Sequence, residues 1–539
     1  MTTTSDDGFQ AASWRPLAVL GVAQFLMVLD TAVMNVSVTQ LVEDFDTQVS
    51  TVQGIITLYS LVMAAFMVTG GKIGDRIGRR RAFQIGLVIY GSGSTVTAIS
   101  GSIPALAFGW SILEGAGAAL VLPSLAALVA GTYRGSRRVV AYGVLGGIAG
   151  AGVAIGPILG GYFTTELSWR WVFIIEAIIV VGVVLASRWI VEPVAPPRER
   201  IDAVGVVLSS VGIGLVVLGV LQSGSWGWLE PRTSPIEPFG FSLTPFMIGA
   251  GVVTLWGFRI WHDRVLAHGG DPLVRLSLLA NRPLRAGLSM LLIQNLILLG
   301  IFFSIPLYLQ LTQGLDALET GVRLLPVSVT MLLFSLGGSS LLRFASPRTI
   351  VRAGLSLLVV AAVFLCATIR PELNDVAFAV SVGVLGAGMG LLASQLGNIV
   401  QSSVQAEDRG AVGGLQFTAA NVGSALGTAF VGAVLIGALT TAFTNNLEND
   451  PILAPYLDDE GVQLQLHAGV PFVSASDVQD ALAGSSLTAE EQAAVINDYR
   501  DAQLQGLRIA VLVTAAIAIA GFASTTQLPG RDEALNATA

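Results

Sequence analysis

GGKIGDRIGRRRAF, residues 70–83, is a knot of charge in a chain that carries little. Between positions 72 and 81 stand Lys72, Asp75, Arg76, Arg79, Arg80 and Arg81, although only 12% of the 539 residues are charged. Apolar runs flank the knot, and Gly71, Gly74 and Gly78 interleave with its charges. Glycine at those steps permits a tight turn and close helix approach. One acid, Asp75, stands among five bases. An acid so placed can face both the positive cluster and the positive end of a neighbouring helix, a clamp that depends on conformation.

The composition around the knot points to lipid as the solvent. Hydrophobic residues make up 53% of the chain, and the mean hydropathy is +0.73. A soluble chain would carry about 25% charged residues. The 62 glycines suit close packing of helices in a bilayer. Cys366 is the one cysteine, and His262, His268 and His467 are scattered without ligand spacing. These exclude a disulfide framework and give no metal site. No phosphate-binding glycine loop is present, so no ATP drive, no cofactor and no enzyme chemistry are expected. No nucleic-acid partner is expected, and the first long apolar run is too long for a secretory signal peptide.

A membrane span needs about 20 mostly apolar residues. Fourteen such stretches are read, near residues 16–38, 52–71, 82–101, 104–131, 139–163, 169–191, 203–222, 243–262, 285–310, 318–341, 348–369, 375–402, 409–440 and 506–527. With the N-terminus inside, only Arg170, Arg232, Arg323, Arg370, Arg500 and Arg508 of the 28 basic residues fall outside. Positive charge favours the cytoplasmic side. Both termini are therefore expected in the cytoplasm, and the knot joins spans 2 and 3 on that side. The expected organisation is a cytoplasmic tail (1–15), a first six-helix bundle (16–191), a linker with two extra spans (192–284), a second bundle (285–527) and a cytoplasmic tail (528–539). An acidic loop, 441–505, lies outside. Within it, Thr488 and Glu491 have capping-box spacing before a helix that continues into the last span. A role for this loop in gating or partner contact stands beside a plain solvated loop.

Ionisable residues inside spans are functional candidates by default. Asp30, Glu114 and Glu176 lie within spans 1, 4 and 6. Burial favours the neutral form of a carboxyl, so such groups can bind and release protons during a transport cycle. In span 5, Gly143, Gly147, Gly150, Gly152, Gly156, Gly160 and Gly161 bare much of one helix, and Pro157 removes a backbone donor. A partner helix can then pack closely and rock. Glu319 and Arg323, four apart, are expected to pair on one helix face.

The knot resembles the cytoplasmic loop motif of the major facilitator superfamily nearly residue for residue. GVAIGPILGG (152–161) resembles that superfamily's antiporter signature. LDTAVMNVSV (29–38) is similar to the first-helix motif of its fourteen-span drug:proton antiporter branch. WRWVFIIE (169–176) and GGLQFTAANVGSALGTA (413–429) also resemble that branch. The resemblance implies an all-α polytopic membrane protein with the major facilitator fold: two six-helix bundles plus two inserted helices. It implies a conformational lock in which Asp75 is the central acceptor and Arg76 and Arg79 support it, with Gly71 and Gly78 shaping the turn. SSLLRFASPRTIVRAGL (339–355) is a decayed second copy, as internal symmetry requires. It implies Asp30 as a coupling acid and a substrate path between the bundles. Candidates on that path are Gln24, Asn35, Gln294, Asn295, Phe302, Gln395 and Asn398.

The chain departs from the branch in span 4, SILEGAGAAL (111–120). Ser111 stands where the motif has arginine, and Glu114 where it has glutamine. Ala420 stands where span 13 often has arginine. Without those bases either Glu114 shares a proton with Asp30, or the coupling differs, or active coupling is lost; shared protons are favoured. The resemblance implies a monomeric secondary transporter of a bacterial inner membrane. It would exchange protons for an amphipathic or cationic organic compound by alternating access. An endogenous lipid or secreted metabolite is the alternative cargo. A non-transporting sensor or scaffold is the third reading, which the two intact motifs disfavour.

Overall fold

A computed structural model describes residues 13–47, 49–191, 201–231, 234–454, 456, 470–483, 485 and 487–530. Most of the two tails and residues 457–469 of the acidic loop lie outside those described. The long helices are α1 (Arg15–Val36), α2 (Val49–Ile77), α3 (Arg79–Ala98), α4 (Ile103–Thr132), α5 (Gly135–Tyr162), α6 (Arg170–Ala186) and α7 (Ala203–Trp226). They continue as α8 (Leu243–Ala267), α9 (Arg282–Leu307), α10 (Ala317–Ser340), α11 (Pro347–Thr368), α12 (Asp375–Ser402), α13 (Arg409–Asn449) and α14 (Ala489–Thr525). No strand occurs among the described residues. Twelve helices are long and apolar enough to cross a membrane. The other two are α3, which opens on three arginines and is rich in Gly, Ser and Thr, and the glycine-rich α5.

Side chains mark where the helices begin. Asp202 accepts from Gly205 N (2.8 Å) at the start of α7. Asn281, Ser346 and Asn374 cap α9, α11 and α12 in the same way. Each satisfies a backbone N–H that has no partner within its helix. Thr488 and Glu491 form the expected capping box at α14. Asp316 and Glu319 form another at α10. Glu319 is thereby occupied, and Arg323 donates instead to Asp375 (3.1 Å) on α12. This corrects the expected Glu319–Arg323 pair: a cap is made by the backbone at a fixed place, and Arg323 reaches the neighbouring helix.

Two groups of six helices follow from the packing. α1 packs on α5, α2 on α4, and α3 on α4 and α6. In the second group α9 packs on α13, α10 on α12, α11 on α12 and α14, and α13 on α14. α7 and α8 form a hairpin outside both groups, with α7 against α2 and α13. The groups meet where α5 packs on α10 and where α2 packs on α13.

α13 and α14 overshoot any bilayer. They have 41 and 37 residues, or about 60 and 55 Å of helix against an apolar thickness of about 30 Å. Their overhanging ends pack together and carry the connecting chain. Val470 N donates to Thr440 Oγ1 (2.9 Å). Tyr499 Oη donates to Pro471 O (2.8 Å) and accepts from Val473 N (2.8 Å). Gln503 Nε2 donates to Val473 O (2.6 Å). Leu439, Ala442, Val470, Tyr499 and Ala502 close a small core beneath. The described part of the acidic loop is thus a packed projection rather than a solvated loop. Tyr499→Phe removes the hydroxyl that staples the strap 470–473. With each bond worth about 1 kcal/mol, hydrogen exchange across 470–482 is expected to quicken by about tenfold. Exchange in the membrane-embedded parts of α13 and α14 should not change.

Candidate functional site

The three acids read from spans 1, 4 and 6 meet inside the first bundle. One carboxylate oxygen from each of Asp30, Glu114 and Glu176 lies within 4.8 Å of the others, and all three residues are buried. The backbone of α4 makes this possible with a π-helical turn, Ala107–Glu114. Such a turn widens the helix and redirects its side chains. Trp110 and Glu114 both stand on it. Trp110 Nε1 donates to both oxygens of Asp30, at 2.8 and 3.0 Å. Its ring stacks on Tyr59, with centroids 4.6 Å apart and planes within 6°. Tyr90 Oη donates to Glu176 Oε1 (2.9 Å), and Ser94 Oγ to Oε2 (3.4 Å). Thr97 Oγ1 donates to Glu114 Oε1 (3.4 Å). Glu114 Oε2 is buried with no hydrogen-bond partner.

Every partner named is neutral. Ser111, at the position of the missing arginine, donates its Oγ to Ile55 O (2.8 Å) and ties α4 to α2. Arg170 is not a partner of Glu176; it bonds Asp44 (2.9 Å) at the bundle surface. Sequence reading found the acids but missed Trp110, Tyr59 and Tyr90. The available signal was Trp110 standing four residues, one turn, before Glu114.

Bare helix faces bring these elements together. A Cβ at Gly93 of α3 would press on Glu114 Cγ, and Cβ atoms at Gly152, Gly156 and Gly160 of α5 would strike Val28, Ala32 and Val33 of α1. Those α1 residues bracket Asp30. α5 runs as one helix through the motif; the side chains of Pro157 and Asn35 lie outside those described, and Gly161 faces open space. The opposite face of α5 serves the other bundle. Gly143, Gly147 and Gly150 abut Ser335, Leu332 and Met331 of α10, and Ser328 Oγ donates to Gly150 O (3.0 Å).

The charged knot forms a clamp between the bundles. α2 ends at Ile77, Gly78 turns with φ of 97°, and α3 starts at Arg79. Asp75 Oδ1 accepts from Arg79 Nη2 (3.0 Å) and from Gly410 N (3.1 Å), while Oδ2 accepts from Ala411 N (2.9 Å). Gly410 and Ala411 open α13, so the carboxylate caps a helix of the other bundle and meets its positive end. Arg79 also donates to the backbone carbonyl of Ala406. Gly71 backs on Gly410, and a Cβ at Gly410 would collide with the Asp75 carboxylate. Arg76 is exposed and stands outside the clamp. A second bond crosses the same end, from Arg138 Nε of α5 to Asn398 Oδ1 of α12 (2.7 Å).

The substrate-path candidates do not converge. Asn398 belongs to that cross-bundle bond. Gln395 donates to Gly338 O (3.2 Å) and knits α12 to α10. Asn295 donates back to Leu291 O of its own helix (2.8 Å). Gln294 is buried with its Oε1 unpaired. Phe302 is half-buried against the second core, and Gln24 is half-buried on α1.

An acid of one six-helix group thus caps the first turn of a helix in the other. The family model of the Major Facilitator Superfamily matches residues 20–428. The chain belongs to that superfamily. It is similar to the tetracenomycin C resistance and export protein of Streptomyces glaucescens, 28% identical over 82% of this chain and 79% of that one. It is also similar to the multidrug efflux pump LfrA of Mycolicibacterium smegmatis, 27% identical over 95% and 96%. Among solved structures, the human organic anion transporter MFSD10 superposes with a TM-score of 0.59 at 13% identity, covering 96% of this chain and all of that one. The proton:xylose symporter XylE gives 0.57 at 13%, over 97% and 98%. These two share the fold. This superfamily member is a multi-span membrane transporter.

Asp75→Asn keeps the shape of the clamp and removes its charge. Hydrogen bonds to a charged group contribute about 2 kcal/mol, so the clamped state should lose a factor of about 30 in population relative to the open one. The measurement is maleimide labelling of a cysteine at the buried Gln416 of α13, in a Cys366→Ser background. Faster labelling is expected for Asp75→Asn and for Gly410→Ala, whose Cβ displaces the carboxylate.

Proposed function

We propose that the chain is a proton-coupled exporter of an amphipathic or cationic organic compound. The observation that carries this is the buried meeting of Asp30, Glu114 and Glu176 within 4.8 Å. Like charges this close in a low-dielectric bundle repel strongly. The cluster therefore holds protons when empty and gives them up when a cation or a change of access compensates. That is the exchange an antiporter performs. The neutral hydroxyl and indole donors around it hold the carboxyls in place without supplying a fixed counter-charge. The relatives named for export of tetracenomycin C and for multidrug efflux support an organic cargo.

The cycle alternates access between the two bundles. The clamped end is cytoplasmic, because the basic residues gather there; both termini lie on that side of the plasma membrane. α3 and α5 complete fourteen spans with the twelve apolar helices, and the chain acts as a monomer. Residues 16–191 and 285–527 are the rocking halves, and 192–284 carries the inserted pair. With the Asp75 clamp shut, the cluster communicates with the outside, where protons load and cargo leaves. Opening the clamp exposes it to the cytoplasm, where protons leave and cargo binds. The glycine faces of α5 let α1 and α10 approach it closely, so that both can rock against the same helix.

A second reading, export of a lipid or an apolar secreted metabolite, has its own observation. A cavity of about 440 Å³ lies beneath the strap of the projecting hairpin, lined by Phe303, Leu307, Leu435, Val470, Pro471 and Phe472. Such a lining suits an apolar tail more than a cation.

The test is transport into proteoliposomes under an imposed inward proton gradient, following a lipophilic fluorescent cation and internal pH together. Wild type should couple dye movement to proton flux. Asp30→Asn and Glu114→Gln should abolish the coupling, and Glu176→Gln should weaken it. Trp110→Phe keeps the ring but loses both bonds to Asp30, and the coupled rate should fall by about tenfold. If the dye stays put and wild type matches the variants, the cationic reading fails and the apolar cargo is the one to pursue.

A further inference from the structure

The segment between the inserted hairpin and the second bundle is seated on the clamp. Lys72, two turns of sequence away from the arginines and three residues before Asp75, forms an ion pair with Asp271 (Nζ to Oδ2, 2.8 Å). The lysine side chain is only 10% exposed and the aspartate 22%. Just beyond, Leu273 and Val274 are buried in one cluster with Val68 of α2, Phe258 of α8 and Ala411 of α13. Ala411 is the residue whose N–H reaches Asp75. The seat is therefore built from both bundles and from the inserted hairpin at once.

Three bonds hold the segment along its length. Asp271 is tied to α2 by Lys72. Leu276 N donates to His262 Nε2 of α8 (3.2 Å). Asn281 Nδ2 donates to Ser403 O at the end of α12 (2.8 Å). One end is thus fixed to the first bundle and the other to the second, across ten residues of chain. When the bundles part at this end, the segment is pulled between the two ties. The Asn281 tie is also the cap of α9 and moves with the second bundle. The Lys72–Asp271 contact is made by side-chain tips, with Arg275 Nη2 3.8 Å from the other Asp271 oxygen, and it can open without unwinding a helix.

We propose that residues 271–276 are a second latch on the clamp, and that Lys72 and Asp271 are positioning residues of the transport cycle. The pair adds to the stability of the clamped state and makes the inserted hairpin report on, and restrain, the rocking of the bundles. This explains why the linker is short, apolar at Leu273 and Val274, and acidic at Asp271. It rests on the alternating-access reading, though not on the identity of cargo or coupling ion.

The experiment is maleimide labelling of Gln416→Cys in a Cys366→Ser background, in detergent with no substrate or gradient. It compares wild type, Lys72→Ala, Asp271→Ala and the exchanged pair Lys72→Asp with Asp271→Lys. A partly buried ion pair predicts labelling about threefold faster in each single variant, and a return toward the wild-type rate in the exchanged pair. Unchanged labelling in the single variants overturns the latch. So does an exchanged pair that labels as fast as they do, because a local packing role would not be rescued by restoring opposite charges. Because no transport is measured, loss of proton coupling in liposomes with a normal labelling response would sink the coupling reading and leave the latch standing.

Discussion

Asp75 is where the two halves of this transporter are joined by charge. Its carboxylate accepts from two backbone N–H groups at the start of α13, in the opposite bundle. Those N–H groups have no partner within their own helix, so the clamp satisfies a need that exists only while the bundles are together. Parting them leaves both the acid and the helix end to find water. Much else at this end follows from that one contact. Gly71 and Gly410 are bare because a Cβ would hold the helices apart. Gly78 turns the chain so that Arg79 can return to Asp75. The arginine then spans the interface to the carbonyl of Ala406, so one guanidinium serves both sides of the joint.

The carboxyl cluster depends on the same device in another place. Asp30, Glu114 and Glu176 come from three helices, and helices carrying large side chains would not approach closely enough to bring the acids together. Gly93 admits α4 to α3, and the α5 glycines admit α1 on both sides of Asp30. α5 is bare on two faces, one toward α1 and the other toward α10 of the second bundle. It therefore stands between the cluster and the moving interface. A shift of α10 against α5 and a shift of α1 against α5 bear on the same helix, which links the acid cluster to the interface between the bundles. Where α5 does carry bulk, glycine on the neighbour receives it: Ile148 lies against Gly21 of α1 and Ile158 against Gly321 of α10.

The fold was legible because lipid imposes long apolar helices: fourteen stretches were read, and twelve of the described helices are long and apolar enough to cross a membrane. The local half of the clamp was legible because Asp75 and Arg79 are one helical turn apart; its distant donors, the N–H groups of Gly410 and Ala411, were not. Arg76 was misplaced by one step, since a 3.6-residue period turns it to the exposed face. The acids were legible because charge within a span is rare. The meeting of Asp30 with Glu114 was read as a shared proton, but the joining of Glu176 was not, nor was the π-helical turn at 107–114 that carries Glu114, which nothing in SILE announces. The path residues read poorly for a general reason. Amides in membrane helices bond to their own or neighbouring backbone, as Asn295 and Gln395 do, and such bonds leave no mark in a sequence. The seat of the linker was invisible because Lys72 and its partner Asp271 stand 199 residues apart.

The buried polar groups divide unequally between the halves. Among the described residues, the buried charged side chains are Asp30, Lys72, Asp75, Arg79, Glu114, Arg138 and Glu176, all in the first bundle, with His262 in the inserted hairpin. The second bundle buries neutral amides instead: Gln294, Gln395, Gln401, Gln416 and Gln503. Amides hold their hydrogen bonds at any proton concentration, whereas clustered carboxyls rearrange when a proton arrives. A machine with charge in one half and neutral dipoles in the other has one half that responds and one that stays put. The cross-bundle contacts at the clamped end run both ways: Asp75 meets the N–H groups of α13 and Arg138 meets Asn398, while Arg409 of α13 donates to the carbonyl of Ala130 on α4 (3.2 Å). Each of these contacts sets a charged group of one half against an uncharged backbone or amide group of the other, so none needs a buried counter-charge across the joint.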